Sequence, residues 1–173
     1  AGVDTLDGGD GDDRLALTNL KYNGVEVSGD FAGAQLIGGA GTDTLVVSGN
    51  VPFMGSISGI ERIQLNQPYS DANIEIGQAI LTLNADTYMA AFSGGVTVAG
   101  EGALIINANA ALDLSGLTFD PADVFVQVVG TAGADSVTGS DYADYLDLKS
   151  GNDVVDLGAG DDEVLAGQQA GET

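Results

Sequence analysis

Four nine-residue repeats run without a break from Gly130 to Leu165. They read GTAGADSVT, GSDYADYLD, LKSGNDVVD and LGAGDDEVL. Asp135, Asp144, Asp153 and Asp162 hold the sixth position, and Val137, Leu146, Val155 and Val164 the eighth. A fixed period with a carboxylate at one phase and an aliphatic at another constrains fold and chemistry together. Each repeat must make the same turn and the same short strand, and successive units must stack to bury the aliphatic.

The pattern returns at the other end. Asp4 and Leu6 are in phase within residues 1–7. GGDGDDRLA (8–16) is a full copy with Asp13 and Leu15, and GGAGTDTLV (38–46) another with Asp43 and Leu45. Between them Leu17–Ser28 breaks the period, and GDFAGAQLI (29–37) keeps the length but has Ala34 at the sixth position. That copy reads as degenerate and metal-free.

These nonapeptides follow G-G-x-G-x-D-x-U-x, and on them the chain resembles the RTX (repeats-in-toxin, hemolysin-type) calcium-binding family. The resemblance covers about 70 residues. It implies a parallel β-roll whose glycine turns aim backbone carbonyls at a shared centre. One coil takes two nonapeptides, so repeats n and n+2 stack on one side. Each gap then offers carbonyls and one carboxylate per loop, an all-oxygen cage suited to Ca²⁺. With no His or Cys in the chain, zinc and copper lack their preferred ligands. The implied ligands are Asp4, Asp13, Asp43, Asp135, Asp144, Asp153 and Asp162, with Gly9, Gly11, Gly39, Gly41, Gly133, Gly151 and Gly160 in the turns.

Stacking pairs Asp135 with Asp153 and Asp144 with Asp162. Asp4 and Asp13 face opposite sides and lack an in-chain partner unless residues 17–37 supply one; Asp43 is likewise isolated, and upstream repeats of the parent chain are expected to complete the N-terminal sites. Tyr142, Leu148 and Lys149 stand where the family pattern has glycine. Asp10, Asp12, Asp141, Asp147, Asp156 and Asp161 read as solvated surface charges.

Residues 47–129 lose the nonapeptide but keep short runs of branched residues separated by Gly, Asn, Ser or Asp. The expected strands include Ile60–Leu65, Ala79–Asn84, Val96–Ala99, Leu104–Asn107 and Val124–Val129. Asn50–Gly55 and Asn66–Asn73 read as loops, and no stretch has a long, capped helical period. The expected fold is all-β, one continuous parallel β-roll/β-helix solenoid. N-terminal calcium rolls (1–46) and C-terminal calcium rolls (130–173) flank a calcium-poor, β-helix-like middle (47–129). A β-sandwich with repeat flanks is the competing architecture.

The formal charge is −22, and the two flanks, residues 1–43 and 130–173, hold 18 of the 26 acids. So few basic groups argue against nucleic acid and direct membrane insertion, and favour multivalent cations. Without His or Cys, nucleophile–histidine catalysis is excluded within the chain. Arg62 with Tyr69 or Tyr88 is the one mid-chain candidate for a polysaccharide-modifying site. Phe53, Phe92, Phe119 and Phe125 read as core or cap residues, while Tyr142 and Tyr145 are placed to stack on neighbouring rungs.

The ends read as cut from a longer chain. The expected function is a non-catalytic, calcium-binding module of a secreted bacterial protein, exported by type I secretion and folded by calcium outside the cell. Its expected partners are calcium and flanking repeats of the parent chain. The alternative is a self-assembling surface protein or adhesin with possible glycan contacts. Residues 38–118 are similar in style to calcium-dependent S-layer proteins, and the enzyme reading ranks third.

Overall fold

The computed structural model describes residues 4–22, 25–28, 31–66, 74–75, 79–120 and 123–166. They are mostly strand, and the ladders are parallel except around one insertion. One ladder stacks β1 (Thr5–Asp10), β4 (Ala32–Ala40) and β7 (Met54–Ser58). A second stacks β2 (Arg14–Tyr22), β5 (Thr44–Ser48), β8 (Arg62–Asn66) and the first half of β11 (Val96–Asn107), which also pairs β13 (Leu117–Phe119). A third stacks β6 (Asn50–Pro52), β10 (Ala79–Asn84), the second half of β11, β14 (Asp123–Val129), β16 (Asp144–Lys149) and β18 (Glu163–Ala166). The last stacks β12 (Leu112–Asp113), β15 (Ser136–Thr138) and β17 (Val154–Asp156).

The register explains the spacing of the aliphatics. Leu15 lies over Leu45, Leu45 over Ile63, and Ile63 over Val98, in one buried row. Ile106, Val128 and Leu146 form another and continue to Val164. Each side chain fully buried in such a row contributes about 1.5–3 kcal/mol. The rows reach the surface at the outermost described strands, where Leu6, Val164 and Leu165 are exposed.

Several features depart from the sequence reading. The break at 17–28 is an insertion: β2 runs on to Tyr22 and pairs antiparallel with β3 (Val25–Ser28) and β9 (Ile74–Glu75). Asn50–Gly55, expected as a loop, contributes β6 and the start of β7. Residues 67–73 of the other expected loop lie outside the described residues. Val96–Ala99 and Leu104–Asn107 are halves of one strand, which changes ladders where Gly100 takes a φ of 96°.

A helix, α1 (Ala85–Phe92), was not expected at all. It buries Ala85, Tyr88 and Phe92 and packs against both β7 and β12. It thereby joins the N-terminal and C-terminal three-stranded ladders. Among the described residues no helix is long and apolar enough to cross a membrane.

The aromatics divide. Phe53 and Phe92 are core, as expected, and Phe119 meets Tyr142 edge-on at 4.6 Å. Phe125 is 48% exposed rather than buried, and it lies beside Tyr145 at 5.6 Å.

Candidate metal centre

The sixth-position carboxylates meet through one recurring contact. Asp153 Oδ1 accepts the Asp135 amide at 3.1 Å, and Asp162 Oδ1 accepts the Asp144 amide at 3.0 Å. Both partners are 18 residues on, one coil of two nonapeptides. The same contact joins Asp43 Oδ1 to the Asp13 amide at 2.8 Å, across 30 residues. Asp13 and Asp43 are therefore partners, not isolated as the sequence suggested. The twelve-residue break Leu17–Ser28 lengthens their coil from 18 residues to 30 without disturbing the register of β2 on β5.

Asp4 has no such partner among the described residues. The register of β1 on β4 sets it opposite Ala34, the degenerate position. Asp12, read as a solvated charge, is exposed but accepts the Thr42 amide of the next coil at 2.8 Å. Asp147 pairs with Lys149, whereas Asp10, Asp141 and Asp161 are exposed.

The turn glycines stack as the carboxylates do. A Cβ on Gly39 would strike the Gly9 carbonyl, one on Gly41 the Gly11 carbonyl, and one on Gly151 the Gly133 carbonyl. Gly160 lies against Tyr142 in the same way. At the second repeat position Gly9 and Gly39 take φ values of 91° and 112°. Lys149 occupies that position with a φ of 62°, so the non-glycine residue accepts the left-handed conformation there.

A second constellation recurs at the first repeat position. A Cβ on Gly8 would lie 2.8 Å from Asp13 Oδ2 and 2.6 Å from the Gly38 carbonyl. One on Gly130 would lie 2.7 Å from both Asp135 Oδ2 and the Leu148 carbonyl. Gly139 stands likewise against Asp144 Oδ2 and the Leu157 carbonyl, and Gly38 against Asp43 Oδ2 and the Gly59 carbonyl. Each carboxylate thus folds back over its own turn, beside a carbonyl of the following coil.

The two ends satisfy those oxygens differently. Thr131 donates its amide to Asp135 Oδ2 at 2.9 Å and its hydroxyl to Oδ1 at 3.0 Å. Ser140 donates its amide to Asp144 Oδ2 at 2.7 Å and its hydroxyl to the same carboxylate at 3.1 Å. At the N-terminal end glycines stand in place of Thr131 and Ser140. There Asp13 Oδ2 and Asp43 Oδ2 are buried with no hydrogen-bond partner among the described residues, and Asp43 is 0% exposed.

A buried carboxylate oxygen without a donor is costly unless a cation or donor meets it. The donor set is all oxygen, which a hard divalent cation such as Ca²⁺ fits. Among the described residues no three His, Cys, Asp or Glu side chains converge to hold an ion by themselves. The carboxylates meet along ladders, and a cage of this type takes its other oxygens from backbone carbonyls.

Burial holds the Asp144 carboxyl above the usual carboxylate range, and the Asp162 charge adds to this, although the Ser140 hydrogen bonds oppose it. Its native pKa is thus raised above the unfolded value. That contribution to stability is present below the unfolded pKa and is lost as pH rises through the folded one. In chelator the melting temperature is expected to rise as pH falls from neutral toward the carboxylate range, with Asp144→Asn flattening the slope. If Asp144 binds calcium, the trend is expected to reverse in saturating calcium, because protons would compete with the ion for the carboxylate. Thermal melts across pH, with chelator and with calcium, check both signs.

The mid-chain enzyme candidate finds other partners. Arg62 pairs with Asp120 at 2.7 Å, and Tyr88 is 1% exposed in the core with burial pushing its phenol pKa up. Tyr69 lies outside the described residues.

Residues 1–17 and 129–167 match the RTX calcium-binding nonapeptide repeat, in four copies. No curated protein and no solved structure matches the chain. Both ends of the chain are therefore similar to this repeat, while the copy containing Asp43 lies outside the matched segments.

Proposed function

We propose that this chain, with RTX calcium-binding repeats at both ends, is a non-catalytic module that folds on calcium. It is one continuous solenoid: calcium rolls at 1–46 and 130–173 clamp a calcium-poor middle at 47–129. The observation that carries the reading is the carboxylate-on-amide contact shared by Asp13/Asp43, Asp135/Asp153 and Asp144/Asp162, with two buried oxygens left unpartnered. Each pair would hold an ion together with carbonyls of its turns, those of Gly9, Gly11, Gly39, Gly41, Gly133, Gly151 and Gly160 among them. Asp4 would need a carboxylate from outside the described residues.

Calcium supplies positive charge where the folded chain gathers negative charge. The chain's own residues do the rest. Glycine turns bring the loops into contact, the aliphatic rows fix the register, and Thr131 and Ser140 hold the first C-terminal carboxylates in place. At low cytosolic calcium the loops repel, and at extracellular calcium they close. This suits a secreted or cell-surface bacterial protein exported unfolded by type I secretion.

The double variant Asp153→Asn with Asp162→Asn tests the pairing. It is expected to bind two fewer calcium ions per chain by titration calorimetry while the middle stays folded. Unaltered stoichiometry would overturn the assignment.

A second reading, a calcium-dependent surface lattice, draws on the apolar side chains exposed on the last strands, Val154, Val164 and Leu165. Those residues suit contact with flanking repeats of a parent chain or with a second copy. Light scattering separates the two: a calcium-folded monomer supports the module, and calcium-driven assemblies support the lattice.

A further inference from the structure

We propose that Glu61 completes a further calcium site with Asp43, one coil inward of the Asp13/Asp43 pair and outside the recognised repeats. The inference rests on the calcium-binding reading above and extends it into the middle segment.

Glu61 makes the contact that defines the other pairs. Its Oε2 accepts the Asp43 amide at 2.8 Å, and it lies 18 residues beyond Asp43. The backbones are stacked there as well, since the Asp43 carbonyl accepts the amides of Glu61 at 3.2 Å and Arg62 at 3.1 Å. Asp43, Glu61 and the pairings of Thr44 with Arg62 and Leu45 with Ile63 therefore continue the ladder begun by Asp13.

A row of acids alone would not make a site. The independent observation is Asp43 itself, which is 0% exposed and whose Oδ2 has no donor among the described residues. Oδ1 faces back to the Asp13 amide, while Oδ2 lies with the Gly59 carbonyl around Gly38. A Cβ on Gly38 would be 2.7 Å from that oxygen and closer still to the carbonyl. The oxygens gathered between the Asp43 and Glu61 coils are thus a buried carboxylate oxygen, a backbone carbonyl and a glutamate.

The use of glutamate has a geometric reason. Ile37 lies over Ser58 and Thr44 over Arg62, so six residues (38–43) in one coil face only three (59–61) in the next. The short turn Gly59-Ile60-Glu61 keeps one glycine and buries Ile60. A longer acidic side chain compensates for a turn with less backbone. The adjacent cation does not neutralise the site, because the Arg62 guanidinium is held by Asp120 at 2.7 Å.

The test is calcium stoichiometry of the intact chain by equilibrium dialysis, comparing wild type with Glu61→Gln. One fewer ion per chain is expected for the variant, with wild-type circular dichroism in saturating calcium. An unchanged count and affinity would overturn the proposal while leaving the other pairs intact. If the wild type binds no calcium, the underlying reading fails instead. Should Glu61→Gln misfold, hydrogen exchange of the wild-type segment 59–63 decides: calcium-dependent protection supports the site, and none overturns it.

Discussion

Chelation of calcium is expected to open both flanks of the chain and leave the middle folded, with the N-terminal flank loosening first. A site filled at a thousand times its dissociation constant stabilises the fold by about 4 kcal/mol. Three filled pairs would together supply about 12 kcal/mol on the same arithmetic, comparable with the whole stability of a domain, about 5–15 kcal/mol. The middle has a separate source of stability. Leu81, Leu104 and Val126 stack in one buried row, and α1 seals Tyr88 and Phe92 against its neighbours.

The order of loss follows from hydrogen bonds already present. Thr131 and Ser140 satisfy Asp135 and Asp144 without an ion, but the buried Oδ2 atoms of Asp13 and Asp43 have no donor among the described residues. Hydrogen exchange by segment, with far-ultraviolet circular dichroism, reads the sequence of events. An identical melting temperature with chelator and with calcium would refute calcium-dependent folding.

The period of nine was legible because each element of the repeat answers a separate physical demand. Position eight points inward, so Leu15, Leu45, Leu146 and Val137 had to be apolar, and all four are buried. The 18-residue relation of Asp135 to Asp153 was legible for the same reason. Asp13 and Asp43 looked unrelated because a coil can extrude a hairpin anywhere between stacked strands. The spacing then changes while the register does not.

Glu61 was missed since Gly59 is the only turn glycine left before it, although Ile63 two residues later kept the phase. Its signal was the distance of 18 from Asp43, visible only after the glycine requirement is relaxed. The helix at 85–92 is two turns long, and Asn84 at its N-cap makes no side-chain capping bond. Its stability comes from packing against β7 and β12, which local sequence does not reveal. The continuity of β11 was hidden by Gly100-Glu101-Gly102, which reads as a turn but serves as a bend between two ladders.

Asp43→Asn is expected to change the sign of its effect with calcium. Without the ion, Asp43 carries a buried acceptor that no described residue satisfies, beside the Gly59 carbonyl. An amide keeps an oxygen for the Asp13 amide and replaces the orphaned oxygen with a donor that the Gly59 carbonyl can accept. Relieving an unsatisfied buried group is worth about 1–3 kcal/mol, so the variant should melt higher than wild type in chelator.

With calcium the balance inverts. The amide is neutral, and its nitrogen cannot coordinate the ion. Asp43 stands between Asp13 and Glu61, so the change weakens both gaps of the ladder. A loss of about 4 kcal/mol for a site that had been filled a thousandfold above its dissociation constant outweighs the gain. Melting curves of the two proteins should therefore cross as calcium is titrated. If Asp43→Asn shifts the melting temperature equally at every calcium concentration, Asp43 serves only as an acceptor for the Asp13 amide, and the N-terminal ladder binds no ion.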